Sequence, residues 1–251
     1  MNLELNNNVA LITGGTGGIG SEIVAEFLNE DAKVICLIRS ESKMALIKEV
    51  LLNRNIPILN LFSYQCDLTD YDGIKKIIKK ILEEFKRIDT LVNCAGYAKE
   101  YPFAPLSESQ ISNMIDLNLK SPMMLTQAVL KSMFRQKSGS IINISSIASV
   151  AKGRGIVSYA SSKAGIETFT RTLAMEIGRK NVRINCIRPG VIETKMSGNI
   201  KEVLSDNIGE FNSLGRTGNP NEISKMTTIL ASNQVSSYIT GECITIDGGI
   251  I

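Results

Sequence analysis

Short apolar runs alternate with longer segments of helical spacing along the whole chain, and this alternation restricts the fold more than any other feature. Residues 9–13, 33–38, 59–64, 90–93, 140–145, 183–187 and 243–246 read as strands. Residues 18–29, 41–54, 71–86, 111–134, 158–177 and 221–230 read as helices between them. In the third helix Ile74, Ile77, Ile78, Ile81, Leu82 and Phe85 recur every three or four residues, the period of one buried face. Lys75, Lys76, Lys79 and Lys80 fall on its other face, as a solvated surface requires. The fourth helix is expected to be interrupted at Pro122, which lacks the N–H that a helix interior needs. Continuous strand–helix alternation predicts an α/β fold: a parallel sheet of about seven strands with helices on both faces. No composition shift marks a second domain, and 251 residues that are 43% hydrophobic suffice for one sizeable core.

Between the first strand and the first helix runs Thr13-Gly14-Gly15-Thr16-Gly17-Gly18-Ile19-Gly20. Glycines in such a turn let the backbone approach a pyrophosphate, and the helix that follows aims its first N–H groups at it. Gly15, Gly17 and Gly20 fit G-x-G-x-x-G, while Gly14, Gly18 and Gly20 fit T-G-x-x-x-G-x-G. The residues alone leave both registers open. A dinucleotide is the expected ligand. The second strand ends Leu37-Ile38-Arg39-Ser40, without the carboxylate that usually holds a ribose 2′-hydroxyl. The Arg39 guanidinium and the Ser40 hydroxyl suit a 2′-phosphate instead, so NADP(H) is expected over NAD(H).

The composition narrows the chemistry. There is no histidine, which excludes Ser-His-Asp, Cys-His and H-E-x-x-H sites in their usual forms. The five cysteines are scattered without a C-x-x-C pair, so neither a disulfide framework nor a metal site is expected. A net charge of +3 with no basic tail gives no reason to expect nucleic acid. No apolar run reaches the length of a membrane span, and residues 1–8 lack a leader pattern, so a cytoplasmic protein without a membrane partner is expected.

Without histidine, a proton near neutral pH must pass through another side chain. Tyr159 and Lys163 stand four apart near the start of a helix and share a face. A phenol ionises near ~10, and a neighbouring ammonium favours the phenolate. Such a pair can exchange a proton with a substrate oxygen. Ser146 ends a strand thirteen residues before Tyr159 and can donate a hydrogen bond to a developing alkoxide. Asn93-Cys94-Ala95-Gly96 and Pro189-Gly190-Val191-Ile192-Glu193-Thr194 follow two other strands, on the side where open α/β sheets bind ligands.

Taken together, these stretches resemble the short-chain dehydrogenase/reductase family, from the glycine turn at Thr13 to Asp247-Gly248-Gly249. The resemblance implies a Rossmann-type doubly wound sheet in a single domain, with a dinucleotide-binding part over about residues 1–140 and a catalytic part over about 141–251. It implies a catalytic tetrad of Asn118, Ser146, Tyr159 and Lys163. Tyr159 would be the acid in reduction, Lys163 would hold the nicotinamide ribose and favour the phenolate, and Ser146 would polarise the carbonyl. The family spacing selects Ser146 over Ser145. The cofactor would touch Gly14, Thr16, Gly17, Gly18, Ile19, Gly20, Arg39, Ser40, Asp67 and Leu68 (the last two beside adenine), together with Asn93, Ala95, Gly96, Tyr159, Lys163, Pro189, Gly190, Ile192 and Thr194. Asn118 is implied to hold a water in a proton relay from the lysine. Pro122, four residues on, offers no N–H to the Asn118 carbonyl and so frees it for another donor.

Two departures stand out. Gly17 occupies a position where many NADP-using relatives carry a basic residue, so cofactor preference rests on Arg39. Cys94 replaces an asparagine of the usual N-N-A-G and reads as a small buried residue. Within the family, I-N-I-S-S, the segment from Arg188 to Met196 and the segment from Leu214 to Glu222 are most similar to NADPH-dependent reductases of 3-oxoacyl thioesters, which act on acyl carrier protein in fatty acid synthesis. That likeness implies a homotetramer. It also implies an acidic carrier protein docking on basic residues beside the cleft, for which Lys137 and Lys180 match by position, with Arg179 adjacent. Residues 195–212 are expected to form a lid over the substrate.

Overall fold

The computed structural model describes residues 2–194 and 212–251. The strands are β1 (Val9–Thr13), β2 (Lys33–Ile38), β3 (Leu61–Gln65), β4 (Thr90–Asn93), β5 (Gly139–Ile144), β6 (Val182–Pro189) and β7 (Cys243–Ile246). They form one seven-stranded sheet in the order β3-β2-β1-β4-β5-β6-β7, with every pairing parallel. The helices are α1 (Gly18–Asn29), α2 (Glu41–Asn53), α3 (Tyr71–Phe85), α4 (Glu108–Ile115), α5 (Ser121–Gln136), α6 (Val157–Ile177), α7 (Pro220–Ala231) and the short α8 (Asn233–Ser236).

Side-chain alternation along the strands divides the core into two layers. Ala10 and Ile12 of β1 face one layer with Ile23 and Phe27 of α1, Met44 and Leu51 of α2 and Ile223 and Leu230 of α7. Val9 and Leu11 face the other with Ile74, Ile78 and Ile81 of α3, Leu125 and Val129 of α5 and Ile177 of α6. Each fully buried Ile or Leu stabilises the fold by about 1.5–3 kcal/mol. The strand order reverses between β1 and β4, so the connections leaving these two strands diverge and open a crevice at their C-terminal ends.

Two elements differ from the sequence expectation. The third strand begins at Leu61 instead of 59, because Leu61 N donates to Ile58 O in a turn that leaves Leu59 in solvent. The long helix starts at Glu108, ahead of 111, because Ser107 and Gln110 form a capping box. Its irregularity also lies upstream of Pro122. Asp116–Lys120 is a π-helical turn in which Ser121 N reaches back five residues to Asp116 O. Pro122 then sits in the first turn of α5, where a missing N–H is tolerated.

Candidate active site

The turn after β1 and the loop after β4 are joined by one hydroxyl. Thr13 Oγ1 accepts from Cys94 N and Ala95 N, each at 3.1 Å, and is buried. Thr13 was legible only as the first letter of a glycine motif; its partners lie about eighty residues away. Gly14 has φ +70°, and a Cβ there would stand 2.7 Å from Ala95 N. A Cβ on Gly20 would stand 2.0 Å from Gly14 O, and one on Gly18 would stand 2.6 Å from Thr194 Cγ2. On Gly17 the nearest atom would be Gly14 O at 3.3 Å. A Cβ on Gly15 would also be crowded, 2.8 Å from Cys36 Sγ, so Gly17 is the loosest of the five glycines and close packing favours the register without it: Gly14, Gly18 and Gly20.

Gly17 caps α1 with no side-chain hydrogen bond, and the first turn holds no acid. The N–H groups of Gly18, Ile19 and Gly20 are thus left to bind an anion. Gly17 and Gly18 are exposed, while Thr16 and Ile19 are half-buried. A dinucleotide fits this cradle: it is built of close-packed glycines around an uncapped helix N-terminus.

At the neighbouring strand ends Arg39 is exposed, and Ser40 Oγ lies 2.7 Å from Ser42 Oγ. Gln65 Nε2 donates to Arg39 O at 3.3 Å. Asp67 follows β3, and its carboxylate accepts from Thr69 N at 2.9 Å and Thr69 Oγ1 at 2.8 Å. Those two bonds hold it below the usual carboxylate range, with the Arg39 charge acting in the same direction. Leu68 is buried beside it.

Asn93 reaches the end of β4, but its side chain turns inward. Its Nδ2 donates to Asn143 Oδ1 at 2.8 Å, and Asn143 Nδ2 donates to Thr170 Oγ1 at 2.9 Å, a polar ladder from β4 through β5 to α6. Ala95 and Gly96 stay half-buried along the crevice. Burial pushes the Cys94 thiol up to about 11 against the pull of the Lys163 ammonium, as suits a packing residue.

Of the four residues expected to form a tetrad, Asn118, Tyr159 and Lys163 come together at the C-terminal ends of β4 and β5, and Ser146 lies two residues past the Ile144 carbonyl that Lys163 holds. Asn118 lies in the π turn and is 1% exposed. Its side chain accepts from Tyr97 N at 2.8 Å and donates to Tyr97 O at 2.8 Å and Ser162 Oγ at 3.2 Å. Ser162 Oγ in turn donates to Tyr159 O at 2.6 Å. Lys163 is 5% exposed; its Nζ donates to Ile144 O at 2.7 Å and stands 5.8 Å from the Tyr159 ring centroid. A Cβ added to Gly96 would lie 3.5 Å from Asn118 Oδ1 and 3.6 Å from Lys163 Nζ, so both groups border one small space. Ser146 begins a 3-10 turn (Ile147–Ser149) two residues past Ile144, and Ala148 N donates to its Oγ at 3.2 Å.

Under this surface lies a buried cluster that sequence reasoning missed. Glu167, four residues after Lys163, accepts from Ser145 Oγ at 2.9 Å, from Ser149 Oγ, and from Arg188 Nε at 2.9 Å and Nη2 at 2.5 Å. Burial pushes its carboxyl up, but the hydrogen bonds from Arg188, Ser149 and Ser145 and the Arg188 charge outweigh it and hold the group below its ordinary value. The four-residue spacing from Lys163 was the available signal; Arg188 had none.

Beyond β6, Gly190 N donates to Ile246 O at 2.9 Å, which ends Pro189-Gly190 against β7. Ile192 pairs with Gly218, and Glu193 N donates to Gly218 O at 2.8 Å, which leads Thr194 back to Gly18. Arg216 grips Glu222 at the start of α7 with bonds of 2.9 and 2.7 Å and draws that carboxyl down to about 2. The expected lid, residues 195–212, lies outside the described residues except for Asn212.

Lys137, Arg179 and Lys180 require a correction. They sit together, with Asn181 Nδ2 donating to Lys137 O at 2.9 Å, but at the N-terminal ends of β5 and β6. Strands rise about 3.3 Å per residue, so the length of β5 puts roughly 20 Å between them and Ser146. They do not border their own chain's cleft. Among the described residues no cluster of acidic or sulfur side chains is arranged to hold a metal, and no helix is long and apolar enough to cross a membrane.

Comparison with known proteins agrees with this geometry. The family described as short chain dehydrogenase matches residues 8–204. The chain is 36% identical over 250 residues to the 3-oxoacyl-[acyl-carrier-protein] reductase FabG of Thermotoga maritima, covering 99% of this chain and 100% of that one. It is 35% identical to the acetoacetyl-CoA reductase of an Acinetobacter species, covering 96% and 97%. A crystal structure of a putative short-chain alcohol dehydrogenase from Sinorhizobium meliloti superposes with TM-score 0.91 at 27% identity, covering 100% and 98%.

Proposed function

The chain belongs to the short-chain dehydrogenase family of oxidoreductases, and from that premise we propose that it reduces 3-oxoacyl thioesters to 3-hydroxyacyl thioesters with NADPH. The observation that carries the reading is the convergence of Asn118, Ser146, Tyr159 and Lys163 beside an uncapped helix N-terminus. A bound NADPH would supply hydride-transfer chemistry at this site. The Tyr159 phenol gives its proton to the carbonyl oxygen, and the Ser146 hydroxyl donates a hydrogen bond to the same oxygen. Lys163 uses one N–H on Ile144 O and keeps two for a ribose diol. The Asn118 main-chain carbonyl, in the π turn just before Pro122, would accept a hydrogen bond from a water that takes part in the proton relay with Lys163. The amides of Gly18, Ile19 and Gly20 would hold the cofactor's pyrophosphate.

Arg39 makes the cofactor NADP(H). Replacing it by Ala is expected to raise KM for NADPH by about 10- to 100-fold, the value of charge-assisted bonds to a phosphate, and to leave KM for NADH nearly unchanged. Steady-state kinetics with both cofactors check this. Equal efficiencies in the parent protein would contradict the assignment.

The printed names of two relatives, a reductase of carrier-linked 3-oxoacyl groups and an acetoacetyl-CoA reductase, share the 3-oxoacyl thioester. NADPH oxidation with acetoacetyl thioesters is therefore expected to exceed that with simple ketones by at least about tenfold in kcat/KM. Preference for a ketone would favour a reductase of another ketone or secondary alcohol, and binding without turnover would leave a dinucleotide sensor. A place in cytoplasmic fatty acid synthesis, a homotetrameric assembly and docking of an acyl carrier protein belong to the same proposal. Lys152 and Arg154, exposed on the loop between Ser146 and Tyr159, are two basic residues on the cleft side.

A further inference from the structure

Tyr159, Lys163 and Glu167 stand at four-residue intervals on α6, so their side chains share one face. Glu167 is 2% exposed. A carboxylate at that depth needs an opposite charge, which Arg188 supplies through both of its bonds. Arg188 is itself fixed by Thr245 Oγ1 of β7 at 2.8 Å. On the exposed side Arg171 stands 3.7 Å from Glu167 Oε2.

Charge balance does not explain the two serines. Ser145 and Ser149 flank Ser146, and both donate to Glu167 Oε1. Ser149 Oγ also lies 2.8 Å from Ser146 O, and Ser145 Oγ lies 3.2 Å from Lys163 O. Each hydroxyl carries one proton, and the ionised carboxylate is the stronger acceptor. One carboxylate, on the helix that carries Tyr159 and Lys163, thus grips the Ser146 turn from both sides.

We propose that Glu167, held by Arg188, is a positioning residue that sets where the Ser146 hydroxyl stands relative to Tyr159 and Lys163. This rests on Ser146, Tyr159 and Lys163 being the reacting groups. A shift of about an ångström in such groups costs up to about 100-fold in rate. Glu167 is buried and Arg188 half-buried, and they bond to each other, Ser145, Ser149 and Thr245, so binding should be spared.

The test is the double variant Glu167→Met with Arg188→Met, which exchanges the ion pair for apolar side chains, a change that buried pairs often tolerate. It is expected to melt cooperatively, to bind NADPH (read by its fluorescence) within about twofold of the parent, and to keep KM for acetoacetyl thioester within about threefold while kcat falls about 10- to 100-fold. If it does not fold, Ser145→Ala with Ser149→Ala breaks the same grip with the ion pair intact, and the same fall in kcat at constant KM is expected. A folded variant of either kind with kcat within about twofold of the parent overturns the inference. So does a loss spread evenly over melting temperature, NADPH binding and KM, which marks a merely structural pair. Tyr159→Phe, measured alongside, separates the two levels. If it keeps parent activity, the catalytic reading fails and takes the inference with it. If it is inactive while the folded Glu167 variants are fully active, only the positioning role fails.

Discussion

Tyr159→Phe is expected to lower kcat for thioester reduction by about 10³-fold or more and to leave the Kd for NADPH within about twofold. The chain has no histidine, the side chain that usually donates near neutral pH, and among the described residues of the proposed site the Tyr159 phenol is the group suited to the task. Lys163 is engaged with Ile144 O, and Ser146 is a far weaker acid. The substitution is also clean. Tyr159 is half-buried, and among the described residues its hydroxyl makes no hydrogen bond, so its removal strands no buried partner. Its ring and its main-chain carbonyl, which receives Ser162 Oγ, remain. In the proposed reading the glycine turn, Arg39 and Lys163 hold the cofactor's charged and hydroxyl groups, and the substitution leaves all three, and the Tyr159 ring, in place. Steady-state assays with a fluorescence titration of NADPH decide the matter, and a kcat within tenfold of the parent would remove Tyr159 from the mechanism.

Gly20→Ala is expected to raise the Kd for NADPH by at least about tenfold and to destabilise the protein by about 1–3 kcal/mol, the usual cost of forced overpacking. The new methyl would stand 2.0 Å from Gly14 O, and neither atom can step aside. Gly14 is held from the other side by the backbone of Ala95, and Gly20 lies in the first turn of α1. Relief requires the turn to open, which separates the helix N-terminus from its anion. Gly17→Ala is the stability comparison, because its nearest contact would be 3.3 Å. Thermal melting should separate the two variants clearly. Equal destabilisation would mean that the close Gly14–Gly20 contact is not what the turn depends on.

Much of the fold and part of the site were legible before any coordinates. Strand and helix identities follow from local periodicity, so β1, β2, β4, β7 and α1 lie where the residues predict. The uncapped glycine turn and the Tyr159–Lys163 spacing are also local, and the sequence by itself determined them. Tertiary structure decided whatever depends on which strand lies beside which. It joined Thr13 to Ala95, folded Asn93 inward onto Asn143, and favoured the Gly14, Gly18, Gly20 register through contacts with other segments. It moved Lys137, Arg179 and Lys180 to the far edge of the sheet, because a helix end and the next strand's start share that edge. It also brought Arg188 of β6 to Glu167 of α6, a pairing that no spacing in the chain announces. A periodicity records which face of an element is buried; it carries no record of the partner that covers it, since that is fixed by sheet order and by close packing between residues far apart in the chain.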